Sequence, residues 1–176
     1  MIVDTVRALL REHGAETIDH PGGMLYAHLG RVHDRLLADG ADQDTALAGL
    51  AHAVYSTDGF DVALLPLSSR GGVRALVGEA AELLIYRYAA CDRHLTWRAL
   101  ADTGRVHDRF TGTSEVLAPD ELRAFADLSI VNELDVYEQS AEIAAKHGAY
   151  FRELFAAWAP IASGPVTADA RRVLSA

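Results

Sequence analysis

The chain has 176 residues, a formal net charge of -9 at pH 7 and 50% hydrophobic residues, a size and composition that suit one globular domain with a sizeable core. The acidic balance argues against nucleic acid or an anionic membrane surface as a partner. The single cysteine, Cys91, excludes an internal disulfide and fits a reducing compartment. The first residues lack the pattern of a signal peptide, and no apolar run approaches the roughly 18 residues of a membrane span. We therefore expect a cytoplasmic protein.

Apolar residues at helical spacing predict helices along most of the chain. In chain order, helices are predicted over residues 2–12, 24–38, 43–55, 73–93, 119–137 and 141–158, with a short one at 168–174. Residues 57–72 and 101–118 have the composition of loops. Because no segment shows period-two alternation, no strand is predicted. The expected fold is all-α, a single helical bundle of six to seven helices over residues 1–176.

Two histidines lie on the apolar faces of consecutive predicted helices. His28 follows Leu25 by one helical turn, and His52 precedes Tyr55 by one turn. A short connection makes the helices antiparallel neighbours, which brings the two imidazoles close together. Neutral imidazole is a common metal ligand, and Asp92 is the carboxylate best placed to complete a site. The alternative is that each histidine is a hydrogen-bonded core residue and that Asp92 caps a helix.

Further polar residues near these helices are candidates for catalysis or substrate binding. Asn132 and Glu133 interrupt an apolar helical pattern, where they would close a pocket and supply an acid or base; the alternative is the polar edge of a helix. Arg70 and Arg74 are suited to a phosphate or carboxylate, or else to surface solvation. The predicted catalytic residues are His52, Glu133 and Asp58, and the predicted substrate-binding residues are Tyr55, Thr57, Arg70, Arg74 and Asn132.

The order and spacing of three residues resemble the HD superfamily of metal-dependent phosphohydrolases. These are His28, then His52 within Leu50-Ala51-His52-Ala53-Val54-Tyr55-Ser56-Thr57-Asp58, and later Asp92. The similarity extends over about residues 18–93 and is greatest to the hydrolase domain of the bifunctional stringent-response enzymes. It implies an HD-like helical domain in which residues 118–160 complete the pocket. It also implies a divalent transition metal (Mn, Fe or Zn) held by His28, His52 and Asp92, and hydrolysis of a phosphorylated or nucleotide-like compound.

The chain departs from the HD pattern at the residue after His52. Ala53 stands where that superfamily has a metal-binding Asp, and Ser56 and Thr57 stand where the stringent-response hydrolases have an acidic pair. A two-metal centre is therefore not expected, whereas a single-metal site or a pocket that has lost its metal both remain open. The run His52-x-x-Tyr55-x-Thr57 is also similar to a family of small bacterial domains of unknown function, a resemblance that implies no activity.

Three functional hypotheses follow from these residues. The first is an HD-like metal-dependent enzyme acting on a small polar metabolite. The second is a metal-independent acid–base enzyme acting on an organic metabolite, and the third is a non-catalytic small-molecule-binding domain. The apolar faces of the final helices are compatible with a homodimer without requiring one.

Overall fold

The computed structural model describes residues 1–175, which are mostly α-helical. The helices are α1 (Ile2–Glu12), α2 (Leu25–Ala38), α3 (Gln43–Ala51), α4 (Arg70–Val77), α5 (Glu79–Ala90), α6 (Arg93–Thr96), α7 (Leu100–Thr103), α8 (Pro119–Gln139), α9 (Ala141–Trp158) and α10 (Gly164–Leu174). Short 3-10 turns lie at Ala15–Thr17, Leu67–Ser69 and Trp97–Ala99.

Short strands form three separate antiparallel hairpins, which the sequence did not predict. The strands are β1 (Asp19–His20) with β2 (Gly23–Met24), β3 (Tyr55–Thr57) with β4 (Phe60–Ala63), and β5 (Arg105–His107) with β6 (Ser114–Val116). The structure therefore confirms a mostly α-helical fold, but the short hairpins mean that the fold is not all-α.

The predicted count of six to seven helices is not confirmed, because one predicted helix is broken into two and the short helices α6 and α7 were not predicted. The continuous helix expected over residues 73–93 is broken at Gly78, whose φ of 91° and ψ of 166° separate α4 from α5. The helix expected to reach Tyr55 ends at Ala51, and β3 begins at Tyr55. Helix α9 has the predicted bounds.

Helices α2 and α3 pack closely and set the distance between the histidines that they carry. Gly49 of α3 faces α2, where a Cβ would lie 2.5 Å from Leu36 Cδ1 and 3.3 Å from Val32 Cγ1. The missing side chain therefore lets the two helix backbones approach one another. Because Gly49 is one turn before His52, this close approach is adjacent to the histidine pair.

Helix α8 is the central element of the core. It packs against α2, α3, α5, α9 and α10, and residues 125–136 are buried without interruption. A helix buried on all sides must provide partners for any polar residue that it carries. Asn132, Glu133 and Asp135 meet that requirement by pointing towards the histidines and the cavity described below. Within residues 1–175, no helix has the length and apolar character needed to cross a bilayer.

Candidate functional site

A cavity of about 340 Å³ opens between the β3–β4 hairpin, the start of α6, and helices α8 and α9. This volume lies near the lower end of the range for small-molecule sites. Its polar lining residues are His20, His52, Thr57, Asp58, Arg93, His94, Asn132, Glu133, His147 and Tyr150. Its apolar lining residues are Pro21, Ala53, Phe60, Trp97, Val136, Ile143 and Phe151, with Gly59 in the hairpin turn.

His28 and His52 meet at the inner end of this cavity. Both side chains are buried, and their Nε2 atoms lie 3.4 Å apart with the rings nearly perpendicular. His52 lines the cavity, whereas His28 lies behind it. The structure therefore brings together the two histidines that the sequence singled out.

Hydrogen bonds at the opposite ring nitrogens fix the orientation of both imidazoles. His52 Nδ1 lies 2.8 Å from the Gly49 carbonyl oxygen, which can only accept, so this nitrogen carries a hydrogen. His28 Nδ1 lies 2.6 Å from Asp135 Oδ2. Although burial opposes it, hydrogen bonds from His28 and Arg31 hold the pKa of Asp135 below its ordinary value. Asp135 is therefore an ionised acceptor, and His28 Nδ1 donates to it.

Asn132 lies next to His28 Nε2. Its Nδ2 donates to Glu133 Oε1 at 3.0 Å, so its Oδ1 is directed at His28 Nε2, also at 3.0 Å. Burial, together with His28, lowers the pKa of His52 well below 6.5, which leaves His52 Nε2 with a free lone pair at neutral pH. His28 Nε2 therefore lies near two electron-pair donors, His52 Nε2 and Asn132 Oδ1, and such contacts need a positive centre, either a proton on His28 Nε2 or a metal ion.

His20 covers the His28–Asp135 pair. Its ring stacks on His28 with centroids 4.1 Å apart, and its Nδ1 accepts a hydrogen bond of 2.9 Å from the Gly22 N–H. Burial and His28 lower the pKa of His20 to about 3, so His20 is neutral at pH 7. The β1–β2 hairpin therefore adds a third imidazole to the site.

Arg93 supplies a fixed positive charge on the cavity wall. Its Nη1 donates to Glu133 Oε1 and its Nη2 to Tyr88 Oη, both at 2.9 Å. The guanidinium also lies 4.6 Å from the centroid of the Trp97 ring, a favourable cation–π contact. Burial works against the charge, yet Tyr88 and Glu133 raise the pKa of Arg93 above its ordinary value. Arg93 stays charged and orients Glu133.

The β3–β4 hairpin carries Thr57 and Asp58 into the cavity. Asp58 and Gly59 form its turn, with Thr57 paired to Phe60, and Gly59 has the positive φ of 89° that such a turn requires. Asp58 Oδ2 accepts from the backbone N–H of Arg93 at 2.8 Å, which joins the hairpin to the start of α6.

Five of the predicted catalytic and substrate-binding residues line the cavity, namely His52, Thr57, Asp58, Asn132 and Glu133. Tyr55, Arg70 and Arg74 do not. They surround the fully buried Glu82, whose carboxylate accepts from Tyr55 Oη at 3.0 Å and from both arginines. A buried carboxylate needs such partners, so these three side chains hold Glu82 and lie outside the cavity.

Asp92 does not join the two histidines. Its Oδ1 accepts from the Leu95 N–H at 3.0 Å and caps α6, which is the alternative that the sequence left open. Among residues 1–175, no group of three or more His, Cys, Asp or Glu side chains is arranged to hold a metal ion. The predicted ligand set of His28, His52 and Asp92 is therefore not assembled.

The donors that do converge fit one ion of borderline softness. Two imidazole nitrogens bound to tetrahedral Zn²⁺ at about 2.0–2.1 Å lie about 3.4 Å apart, which matches the separation of His28 Nε2 and His52 Nε2. Their anchoring by Asp135 and the Gly49 carbonyl is the usual outer arrangement of metal-binding histidines. Asn132 Oδ1 supplies a third, uncharged donor. This set fits one metal ion and does not fit a two-ion centre.

Sequence reasoning missed Asp135 and Arg93 as site residues. Asp135 lies 107 residues from His28 along the chain, and its only local signal is its position one turn after Asn132 on the same helix. Arg93 lies at the end of a predicted helix, where the local sequence gives no sign of a cavity residue. Its role depends on the folding of α5, α6 and α8 around one cavity.

Residues 9–93, just under half of the chain, match the model of a family described as Domain of unknown function (DUF6817). The matched segment includes His20, His28, His52 and Arg93, whereas Asn132, Glu133 and Asp135 lie outside it. No curated protein and no solved structure matches the chain.

Proposed function

We propose that the chain is a metal-dependent enzyme that acts on a small polar metabolite in this cavity. The observation that carries the proposal is the 3.4 Å separation of His28 Nε2 and His52 Nε2, with each Nδ1 hydrogen-bonded outside the site. His28, His52 and Asn132 would hold the ion, which when bound supplies Lewis acidity to a substrate group. The HD resemblance adds hydrolysis of a phosphorylated or nucleotide-like compound as the reaction to test first.

The residues around the histidines have distinct tasks in this proposal. Asp135 and the Gly49 carbonyl keep the hydrogens of both imidazoles on Nδ1, so that each Nε2 is directed inward. Glu133, which is oriented by Arg93 and Asn132 and lines the cavity, is the proposed general base. Asp58, at the hairpin turn on the cavity wall, is the second carboxylate available for proton transfer or substrate contact.

Metal analysis of protein purified without chelator tests the proposal. We expect about one Zn²⁺, Mn²⁺ or Fe²⁺ per chain, lost in His28→Ala and in His52→Ala. Asp92→Ala is the matched control and retains the metal, because its carboxylate caps α6. Metal content that does not depend on His28 and His52 contradicts the proposal.

One further observation favours a second candidate, the metal-independent acid–base enzyme. A continuous series of side-chain hydrogen bonds runs from the core to the cavity when His28 Nε2 carries a proton. It joins Asp135, His28, Asn132, Glu133 and Arg93 in that order. Turnover of a metabolite that resists chelator and is lost in Glu133→Gln would support this second candidate. Ligand binding without turnover under either condition would instead indicate a binding domain.

A further inference from the structure

The polar end of the cavity carries charges of both signs. Arg93 contributes a guanidinium, and Glu133 and Asp58 contribute carboxylates, all three lining the same space. Arg93 contacts both acids, through its side chain to Glu133 and its backbone N–H to Asp58. A ligand in this space therefore meets a positive and a negative group side by side.

Hydrogen-bonding capacity remains on each of these groups. Glu133 accepts from Arg93 and Asn132 through Oε1 alone, and Asp58 accepts from Arg93 through Oδ2 alone. Within residues 1–175, the buried polar atoms that lack a partner belong to Asp39 and Thr167, so Glu133 Oε2 and Asp58 Oδ1 are not sealed in the protein. Arg93 donates one N–H from Nη1 and one from Nη2, which are two of the five N–H groups of its guanidinium.

Another part of the cavity wall is apolar. Trp97 lies beneath the Arg93 guanidinium, and Val136, Ile143 and Phe151 from α8 and α9 continue the apolar wall. Apart from the indole N–H of Trp97, these side chains offer no hydrogen bond to a polar ligand group, but they gain from contact with a hydrocarbon or aromatic one. The cavity therefore distinguishes a charged head from an apolar body.

Charge balance selects among possible head groups. A simple anion on Arg93 would lie beside two carboxylates, and a simple cation on the carboxylates would lie beside the guanidinium; in both cases like charges are brought together. A head group with both signs pairs with each. We propose that the ligand is a small zwitterion of the amino-acid type, with its carboxylate on Arg93, its ammonium at Glu133 and Asp58, and an apolar side chain on the Trp97 wall.

This inference rests on the proposed function only in assigning the substrate to the same cavity, and an amino-acid zwitterion takes the place of the phosphorylated or nucleotide-like compound that the HD resemblance suggests. Two matched series test it by calorimetry on chelator-treated protein, so that the result does not depend on a metal. The first comprises L-phenylalanine, 3-phenylpropionate and 2-phenylethylamine, and the second L-leucine, 4-methylpentanoate and 3-methylbutylamine. Within each series the apolar body is retained and only the charges differ.

In at least one series we expect the amino acid to bind at least about tenfold more tightly than both of its singly charged analogues. Arg93→Gln should remove the difference in affinity between the amino acid and the amine. Glu133→Gln should remove the difference in affinity between the amino acid and the carboxylate. Arg105→Gln, which removes an exposed arginine on β5, is the control and leaves the preference unchanged. Thermal unfolding verifies that each variant is folded.

Two results overturn the inference. One is a singly charged analogue that binds as tightly as the amino acid in both series, and the other is no saturable binding of either amino acid at millimolar concentration. A zwitterion preference that persists in both folded variants, Arg93→Gln and Glu133→Gln, also overturns the assigned contacts. If the preference is found but no metal binds to the histidines, the ligand class stands and the metal-dependent function fails.

Discussion

At the scale of single residues, Gly22 lies against three polar groups of the site. A Cβ at this position would lie 2.9 Å from His28 Nδ1 and 3.1 Å from both Asp135 Oδ2 and His20 Nδ1. Its φ is not positive, so alanine is permitted by the backbone and only the added methyl group acts.

We expect Gly22→Ala to lower the free energy of unfolding by about 1–3 kcal/mol, because the methyl group displaces the His28–Asp135 pair from a packed site. Urea denaturation measures the change. Gly71→Ala is the control, since nothing lies within 4 Å of its Cβ position in α4, and it should be neutral or stabilising. Equal stability of Gly22→Ala and the parent protein would show that the cluster has room that the distances do not indicate.

The residues that the sequence identified and those that it missed differ in a physical way. His28 lies in α2 and His52 directly follows α3, and the helical spacing of the sequence alone predicts that each is on a buried face. Asp135 and Arg93 reach the same site through contacts distant along the chain. Asn132 and Glu133 of α8 did indicate a pocket, but spacing within one helix cannot show which distant group a polar side chain will bind.

At the scale of elements, glycines with unusual backbone angles account for helix and strand bounds that the sequence did not predict. The apolar stripe continues from Val73 to Tyr88 and predicts one helix, yet Gly78 interrupts it without changing the stripe. The β3–β4 hairpin was taken for a loop although Asp58-Gly59 is a strong turn signal, because the strands on each side are too short to show alternation. Helices α1, α2 and α9 have long uninterrupted stripes, and their predicted bounds agree with the structure to within one residue.

The break at Gly78 gives the second prediction. Its φ of 91° and ψ of 166° lie in a region that is open almost exclusively to glycine. Gly78→Ala should therefore destabilise the protein by about 1–3 kcal/mol, measured as a lower midpoint of urea denaturation. Gly72→Ala, in the interior of α4 with open space around it, should not. A helix that simply continued through position 78 would gain stability from alanine, and that result would contradict the break.

At the scale of the whole molecule, the buried histidines link stability to pH. The pKa of His52 is lowered well below 6.5 by burial and His28, and the same two causes lower the pKa of His20 to about 3. Below pH 6.5 the unfolded chain therefore binds protons at these positions that the folded chain does not. The free energy of unfolding then falls as the pH falls.

The third prediction follows from this linkage. Between about pH 6.5 and 5.5, the His52 contribution alone should reduce the free energy of unfolding by about 1 kcal/mol, since one proton per pH unit corresponds to about 1.4 kcal/mol. Asp135, whose pKa is lowered by His28 and Arg31 against the effect of burial, loses its contribution only at lower pH, as it becomes protonated. Urea denaturation at pH 7.5, 6.5 and 5.5 would measure the slope, and His52→Gln should reduce it. A stability that is constant across this range would mean that His52 is protonated in the folded protein, and its Nε2 would then be unable to donate a lone pair to a metal.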